Sequence, residues 1–397
     1  MTVEQISELL AASNREGKAV VVTGGGTLSG MGRPPARSDV TLSTLTLDTI
    51  VEDAPSDLTI AVQSGVRIRT LAQRLQKHGT HVPFDAPHPA DATVGGTLAA
   101  GWLGPRRHLY GRPRDFVIGS VAVLADGTIA RAGGMVVKNV AGYDMSRLYV
   151  GSFGTLAVIA QINLKTAAAP DVTRGFQMRL PEGTRARALD LLTGLTVTPA
   201  AAFWIDGFKT AVDGEDGAEG RLFVLLEGSE SVVDRGTRDL RAAMGRAGVP
   251  ETRIVDAGAR ESFERIVDAY IACVGERSIT YRIPAFTDDA ISRVHGMRAI
   301  AARFELRTDA LIDVMNGDII FRVSDLDAHA LGAKIEMFDD ALHDEEPQAL
   351  VIAGQHPSRA LLAVWGCDTD GIDQMRALKE KFDPNRILNP GRFLAGI

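Results

Sequence analysis

Apolar positions recur along this 397-residue chain in two textures, and the change between them divides it. Near the start, Val3, Ile6, Leu9 and Leu10 sit at helical spacing, so the chain opens on an amphipathic helix. From Val20 to Ala168 short apolar runs are punctuated by glycine. Leu58 to Gly65 reads as a strand, and Ile68, Leu71, Ala72 and Leu75 mark a helix that Gly79 can cap. Phe116 to Gly134 reads as two strands joined by the Asp126-Gly127 turn. Beyond Pro170 charged helices, Gly183 to Leu192 and Val232 to Ala247, alternate with strands at Arg221 to Gly228, Asp318 to Val323 and Ala360 to Trp365. The pattern predicts an α+β protein with a first domain over 1–169, a second α+β domain over 170–370 and a terminal segment over 371–397. That segment ends in KFDPNRILNPGRF, whose prolines and asparagines predict a shaped loop.

The run VVVTGGGTLSGMGRPP, Val20 to Pro35, delivers a strand into a glycine loop. It is not a Walker loop, because Met31 follows Gly30 where lysine is required. It is not a dinucleotide fingerprint either. Ser29 stands where the third glycine belongs, and Gly30, Gly32, Pro34 and Pro35 would break a helix starting there. Two readings remain: a plain glycine turn, or unhindered amides that converge on an anion without a helix dipole.

Composition narrows the partners. With 43 basic against 50 acidic residues, nucleic acid is not the expected ligand. No apolar run is long enough to span a bilayer, and the N-terminal stretch lacks the basic and apolar regions of a secretory leader; a cytoplasmic chain is expected. The two cysteines, Cys273 and Cys367, cannot hold an iron–sulfur cluster, so any such centre belongs to a partner. No metal site is expected: His78 and His81 form a pair without a third ligand and read as a solvated turn.

Three more glycine-bearing stretches follow the first loop: Asp85 to Pro105 with Thr93-Val94-Gly95-Gly96, Gly133 to Ile162 with Lys138, Asn139, Tyr143 and Asp144, and Asn389-Pro390-Gly391-Arg392. Four such stretches over most of the chain suggest one long ligand touched by several loops. In this order TGGGTLSG, ATVGGTLAAG, KNVAGYDMSRLYVGSFGTLAVI and FDPNRILNPGRF resemble the FAD-binding fold of the vanillyl-alcohol oxidase and p-cresol methylhydroxylase superfamily. Within it the chain is similar to the FAD-binding subunits of bacterial glycolate oxidases, closely over the first 165 residues and clearly over the last 20 or so.

The resemblance implies a two-part FAD-binding domain, a cap domain of substrate type and a tail that returns to the flavin. It implies that Gly24, Gly25, Gly26, Thr27, Leu28 and Ser29 wrap the FAD pyrophosphate, and that Pro87, Asp91, Thr93, Val94, Gly95, Gly96 and Gly101 border the ribityl chain and ring. Gly142, Gly151, Gly154, Val158 and Ile159 would pack around the cofactor, with Asn389 and Arg392 reaching it from the C-terminus. Where relatives often carry a flavin-linking histidine stands Thr27, so FAD is expected to be non-covalent. The expected partners are a paralogous catalytic FAD subunit and an iron–sulfur subunit, a small 2-hydroxy acid is the expected substrate, and attachment to the inner face of the membrane would come through the complex.

One departure matters. Related D-2-hydroxyacid dehydrogenases carry H-x-G-D-G-N-x-H in the second domain, whereas VMNGDIIFRV, Val314 to Val323, keeps only Gly317-Asp318. Without imidazole the usual general base is missing. Lys138, Tyr143 and Arg107 are the remaining candidates for a proton acceptor or carboxylate clamp, against a reading of all three as ordinary loop residues. Arg106, Arg107, Arg112 and Arg114 form a cationic run that reads as a solvated loop, a carboxylate clamp or a docking patch; Trp102 reads as core. Three functions stay open: an oxidase subunit, a flavin-holding scaffold, and a stand-alone D-lactate-type dehydrogenase.

Overall fold

The computed structural model describes residues 1–135, 144–208, 220–249, 253–255, 258–272, 275–366 and 370–397. The chain forms two compact units: Met1–Gly104 with Arg112–Ala169 and Asp368–Ile397, and Pro105–Gly111 with Pro170–Cys367. The short segment Pro105–Gly111, which a cut at 169 assigns to the first domain, is therefore part of the second unit.

In the first unit the opening helix is Val3–Glu16, capped by Thr2 and ended by Gly17 at φ 65°. Its buried residues Ile6 and Leu10 pack with Val20, Leu42, Val158, Ile387 and Leu388 in one cluster. A five-stranded antiparallel sheet runs in the order Ile50–Ala54, Thr59–Gln63, Val158–Lys165, Val117–Val123, Ile129–Gly133. Beside it Val20–Thr23 pairs in parallel with Val40–Ser43. Leu388 bridges in parallel to Val20, so the end of the chain lies along the strand that feeds the glycine loop. The predicted helix after Gly65 is Ile68–Gln76, and the hairpin turn places Gly127 at φ 89°.

The second unit is an eight-stranded antiparallel sheet ordered Arg253–Val255, Val172–Arg179, Arg221–Gly228, Ala201–Asp206, Arg307–Asp313, Asp318–Ser324, Ser278–Pro284, Leu350–Gly354. Its central strand RLFVLLEG is buried on both sides. Leu222, Val224 and Leu226 join the core formed with helices Arg185–Thr193, Glu230–Ala247, Ala290–Arg303 and Ala328–Glu345. Phe223, pointing the other way, stacks on Phe203, which meets Phe263 and Tyr270. The strand predicted at Ala360 to Trp365 is absent. Pro357 opens a 3₁₀ turn through Ala360, and the Ala363 amide donates to Asp339 Oδ2 instead of to a ladder; the strand is Leu350–Gly354.

Candidate functional site

Strand Val20–Thr23 ends at the predicted loop, and the reason for its glycines is local. A Cβ on Gly24 would overlap Thr93 Oγ1, and one on Gly25 would overlap the Asp91 carbonyl oxygen and lie 2.9 Å from Arg67 Nη1. Gly26, at φ 75°, has open space where its Cβ would be. The loop then turns on itself, Ser29 N donating to Gly26 O at 3.1 Å and Met31 N to Leu28 O at 3.1 Å.

Against it lies the short helix Val94–Ala99. Thr93 caps it by accepting from Gly96 N at 3.2 Å, and Gly95 N donates to Ser64 O at 2.8 Å. A Cβ on Gly95 would come within 2.5 Å of Ser64 Cβ, so glycine is needed for the helix to approach strand Thr59–Gln63. The helix end meets the next loop at Gly101 and Gly151, both at positive φ; a Cβ on Gly101 would lie 2.8 Å from Gly151 Cα. Two ladder-like bonds hold the crossing, Gly151 N to Leu98 O at 2.9 Å and Phe153 N to Ala99 O at 2.8 Å.

The tail closes the arrangement. Asn389 accepts from Val22 N at 2.9 Å and donates from Nδ2 to Phe153 O at 2.7 Å, joining the strand before the glycine loop to the loop after Gly151. Arg392 lies over the Phe153 ring, 6.0 Å from its centroid, and Phe393 stacks on the same ring. Behind them Lys379, 2 % exposed, spends its three N–H groups on Thr155 O, Asp383 Oδ2 and Leu388 O. Burial lowers the Lys379 ammonium below its ordinary range, and Asp383 opposes that shift.

Together these pieces wall a cleft that opens to solvent. Of the residues predicted from sequence, Gly24, Gly25, Gly26, Thr27, Leu28, Ser29, Thr93, Gly95, Gly96, Gly154, Val158, Ile159, Asn389 and Arg392 line it. Asp91, Val94, Gly101 and Gly151 stand one step back as supports of those loops, and Pro87 does not line the cleft. Gly142, with the candidates Lys138 and Tyr143, lies outside the described residues. The wall also includes Val22, Thr44, Ser64, Thr97 and Phe153, which sequence reasoning passed over. The Ser64 and Thr97 hydroxyls are buried without a hydrogen-bond partner among the described residues. A polar residue closing an apolar strand, as Ser64 does in TIAVQS, was the available signal.

Arg107 lies in the second unit and is already engaged there. Its guanidinium donates to Asp318 Oδ2 and stands 3.8 Å from Asp313 Oδ2; Arg282 donates to the same Asp318 oxygen at 2.9 Å. Asp313, fully buried, accepts from the Tyr270 hydroxyl at 3.0 Å and from Asn316 Nδ2 at 2.9 Å. Burial above all raises Asp313 to about 7; Asp318 adds to the rise and Arg107 resists it. The neighbouring Arg106 pairs with buried Glu227 at 3.0 Å, where Tyr110 also donates. Burial pushes Glu227 up, but Arg106 and Tyr110 together hold its carboxyl below the usual range. The cationic run is thus not a solvated loop at its first two arginines. Gly317-Asp318 survive as a turn at φ 67° and an ion-pair anchor. His78 pairs with Asp53 at 3.4 Å, and Trp102 is buried with its indole N–H on Asp85 O at 2.9 Å.

Comparison with known proteins agrees with this geometry. Residues 1–144 match a family described as FAD binding domain, and residues 366–393 match one described as the C-terminal domain of FAD linked oxidases. Glycolate oxidase subunit GlcD of Bacillus subtilis is 27% identical over 422 residues, covering 99% of this chain and 87% of its own length. Glycolate oxidase subunit GlcE of Escherichia coli is 39% identical over 152 residues, 38% of this chain and 43% of its own. A D-lactate dehydrogenase of Archaeoglobus fulgidus is 32% identical over 234 residues, 58% of this chain and 51% of its own. Among solved structures, p-cresol methylhydroxylase superposes with a TM-score of 0.75 at 17% identity, over 98% of this chain and 87% of that one. No helix among the described residues is long and apolar enough to cross a membrane. With an FAD binding domain matched over residues 1–144, a C-terminal stretch matched over 366–393 and a p-cresol methylhydroxylase-type fold, the chain is an FAD-dependent oxidoreductase.

Proposed function

We propose that this chain is the FAD-binding subunit of a multi-subunit oxidase of glycolate and related 2-hydroxy acids. A paralogous flavoprotein and an iron–sulfur subunit would be its partners, and the acceptor would lie at the inner face of the membrane. The observation that carries the cofactor part is the cleft of the first unit, whose described lining holds no carboxylate and a single cation, Arg392, among glycines and hydroxyls. That donor set suits an anionic, elongated ligand: exposed amides and hydroxyls for phosphate and sugar oxygens, and apolar Val158, Ile159 and Phe153 for a flat ring. The same lining has no histidine, cysteine or tyrosine among the described residues, which supports non-covalent attachment.

When bound, FAD supplies the two-electron acceptor for oxidation of a carbon that bears a hydroxyl. The chain's part is to orient and to exclude water. Gly24 to Ser29 would hold the phosphates, Thr93, Gly95 and Gly96 would border the rest, and Asn389 keeps the two loops at fixed separation. For the proton of the substrate hydroxyl, no histidine flanks Gly317-Asp318 in the sequence, and Arg107 is committed to Asp318 and Asp313. This supports a subunit that relies on its paralogue for part of the chemistry; Lys138 and Tyr143 are the residues to substitute if it does not. The similarity to two glycolate oxidase subunits favours this reading over a scaffold without redox chemistry.

The test is anaerobic mixing of the FAD-loaded chain with glycolate and with D-lactate. Slow or absent bleaching, with dye-linked oxidation restored by the paralogous flavoprotein and the iron–sulfur subunit, is the expected result. Rapid bleaching of the chain alone would replace the subunit reading by a self-sufficient dehydrogenase.

A further inference from the structure

Arg67 was not among the residues to which the sequence points, yet its guanidinium packs against the middle of the glycine loop. Its backbone bridges to that of Thr93, and it precedes helix Ile68–Gln76. From there the side chain reaches Gly25: Nη1 donates to the Asp91 carbonyl oxygen and would stand 2.9 Å from a Cβ on Gly25. That bond to a backbone carbonyl is its one hydrogen bond among the described residues, and no described carboxylate pairs with it. A guanidinium carries five donors, so four remain unspent at the loop.

Several arginines near the interior are matched with acids, while buried Arg185 is held by the Leu180 carbonyl and the Trp204 ring. Arg106 has Glu227, Arg282 and Arg107 share Asp318, Arg293 has Glu346 and Arg322 has Asp309. What sets Arg67 apart is its place: a half-buried cation with no acid among the described residues touches the glycine loop of a cleft whose described lining holds no carboxylate. We propose that Arg67 supplies positive charge to the diphosphate of FAD bound on the Gly24 to Ser29 loop. The inference rests on the cofactor reading given above and adds a residue to it. Backbone amides alone offer partial charges to two phosphate groups; a guanidinium behind Gly25 gives that side of the cleft a full one, and Arg392 gives the Phe153 wall another. The bond to Asp91 O fixes the guanidinium so that little side-chain freedom is lost when the ligand arrives.

The charge and the hydrogen bond can be separated. Arg67→Gln keeps an N–H for the Asp91 carbonyl and loses the charge, while Arg67→Lys keeps the charge. FAD affinity of the full-length apoprotein is measured by flavin fluorescence quenching at low and at high salt, alongside thermal unfolding of each apoprotein. Arg67→Gln should bind FAD about tenfold more weakly at low salt, with the gap closing as salt screens the charge. Arg67→Lys should bind within about threefold of wild type, and the apoprotein melting point should not move. Equal FAD affinity in wild type and Arg67→Gln overturns the inference and leaves the cofactor reading intact. A loss that ignores salt and is as large in Arg67→Lys also overturns it, assigning Arg67 to the support of Asp91 alone. A wild-type chain that binds no FAD overturns the cofactor reading and this inference with it.

Discussion

Asp313 turns the charge network of the second unit into a pH experiment. Its carboxyl is wholly buried and is pushed up to about 7, well above the ordinary carboxylate range. Burial is the main cause and Asp318 contributes, while Arg107, Asn316 and Tyr270 pull the other way. The folded state therefore holds this proton more tightly than the unfolded chain. Below about pH 4 the group is protonated in both states and costs nothing. Between about pH 4 and 7 the unfolded chain ionises and the folded one does not, so stability falls as pH rises; above that the full penalty stays. A gap of about three pH units at about 1.4 kcal/mol each amounts to on the order of 4 kcal/mol. Asp313→Asn keeps the shape and removes the titration. Its amide N–H groups would face the Tyr270 hydroxyl and the Asn316 amide, a mispairing that costs about 1–3 kcal/mol. The variant should thus be the less stable protein at pH 4 and the more stable one, by about 1–3 kcal/mol, at pH 8. Urea unfolding of the second unit, followed by the fluorescence of Trp204 and Trp365 in a Trp102→Phe background, reads the difference without signal from the first unit. Parallel stability curves for the two proteins would refute the reasoning. They would mean that the three donors keep Asp313 ionised throughout.

Further outcomes follow from the first unit. Gly25→Val and Gly95→Val should each lower FAD occupancy, and each should also lower the melting point of the apoprotein, because the added carbons meet the Asp91 carbonyl and Ser64 rather than the ligand; an unchanged melting point would show that only the ligand needs those glycines. Lys379→Met leaves Asp383 buried and without its cation, and should destabilise the first unit by about 3–5 kcal/mol in denaturant; a loss under 1 kcal/mol would mean that the Ile387 and Leu388 amides suffice for Asp383. Truncation before Asn389 removes the bonds to Val22 N and Phe153 O and should weaken FAD binding while the second unit melts as before. Acid should release all the flavin as free FAD, and flavin retained on the polypeptide would identify a covalent link.

Local constraints left marks in the sequence, and distant ones did not. The glycines of the first loop were legible because close backbone approach and positive φ admit little else, although what approaches Gly24 and Gly25 is the protein's own Thr93 and Asp91. Asn389 was legible through its company of Pro390, Gly391 and Arg392. The strand at Leu350–Gly354 was missed in favour of Ala360 to Trp365 because both are apolar runs; the first pairs with Ser278–Pro284, while the Ala363 amide of the second goes to the Asp339 side chain. Charged residues were the least legible. Arg107 reads as a free clamp until Asp318, 211 residues on, is folded against it. Lys379 sits in DQMRALKEKF, where its neighbours suggest a solvated face, and its burial is set by Thr155, 224 residues earlier. A cation's role depends on which acid or carbonyl the fold brings to it: for Lys379 the acid, Asp383, is four residues on and readable, but the Thr155 carbonyl that buries it is not. Arg67 differs from both: among the described residues the fold brings it one carbonyl and no acid, beside a loop whose glycines were legible, and the FAD-affinity series on Arg67→Gln and Arg67→Lys asks whether a bound phosphate is its counter-charge.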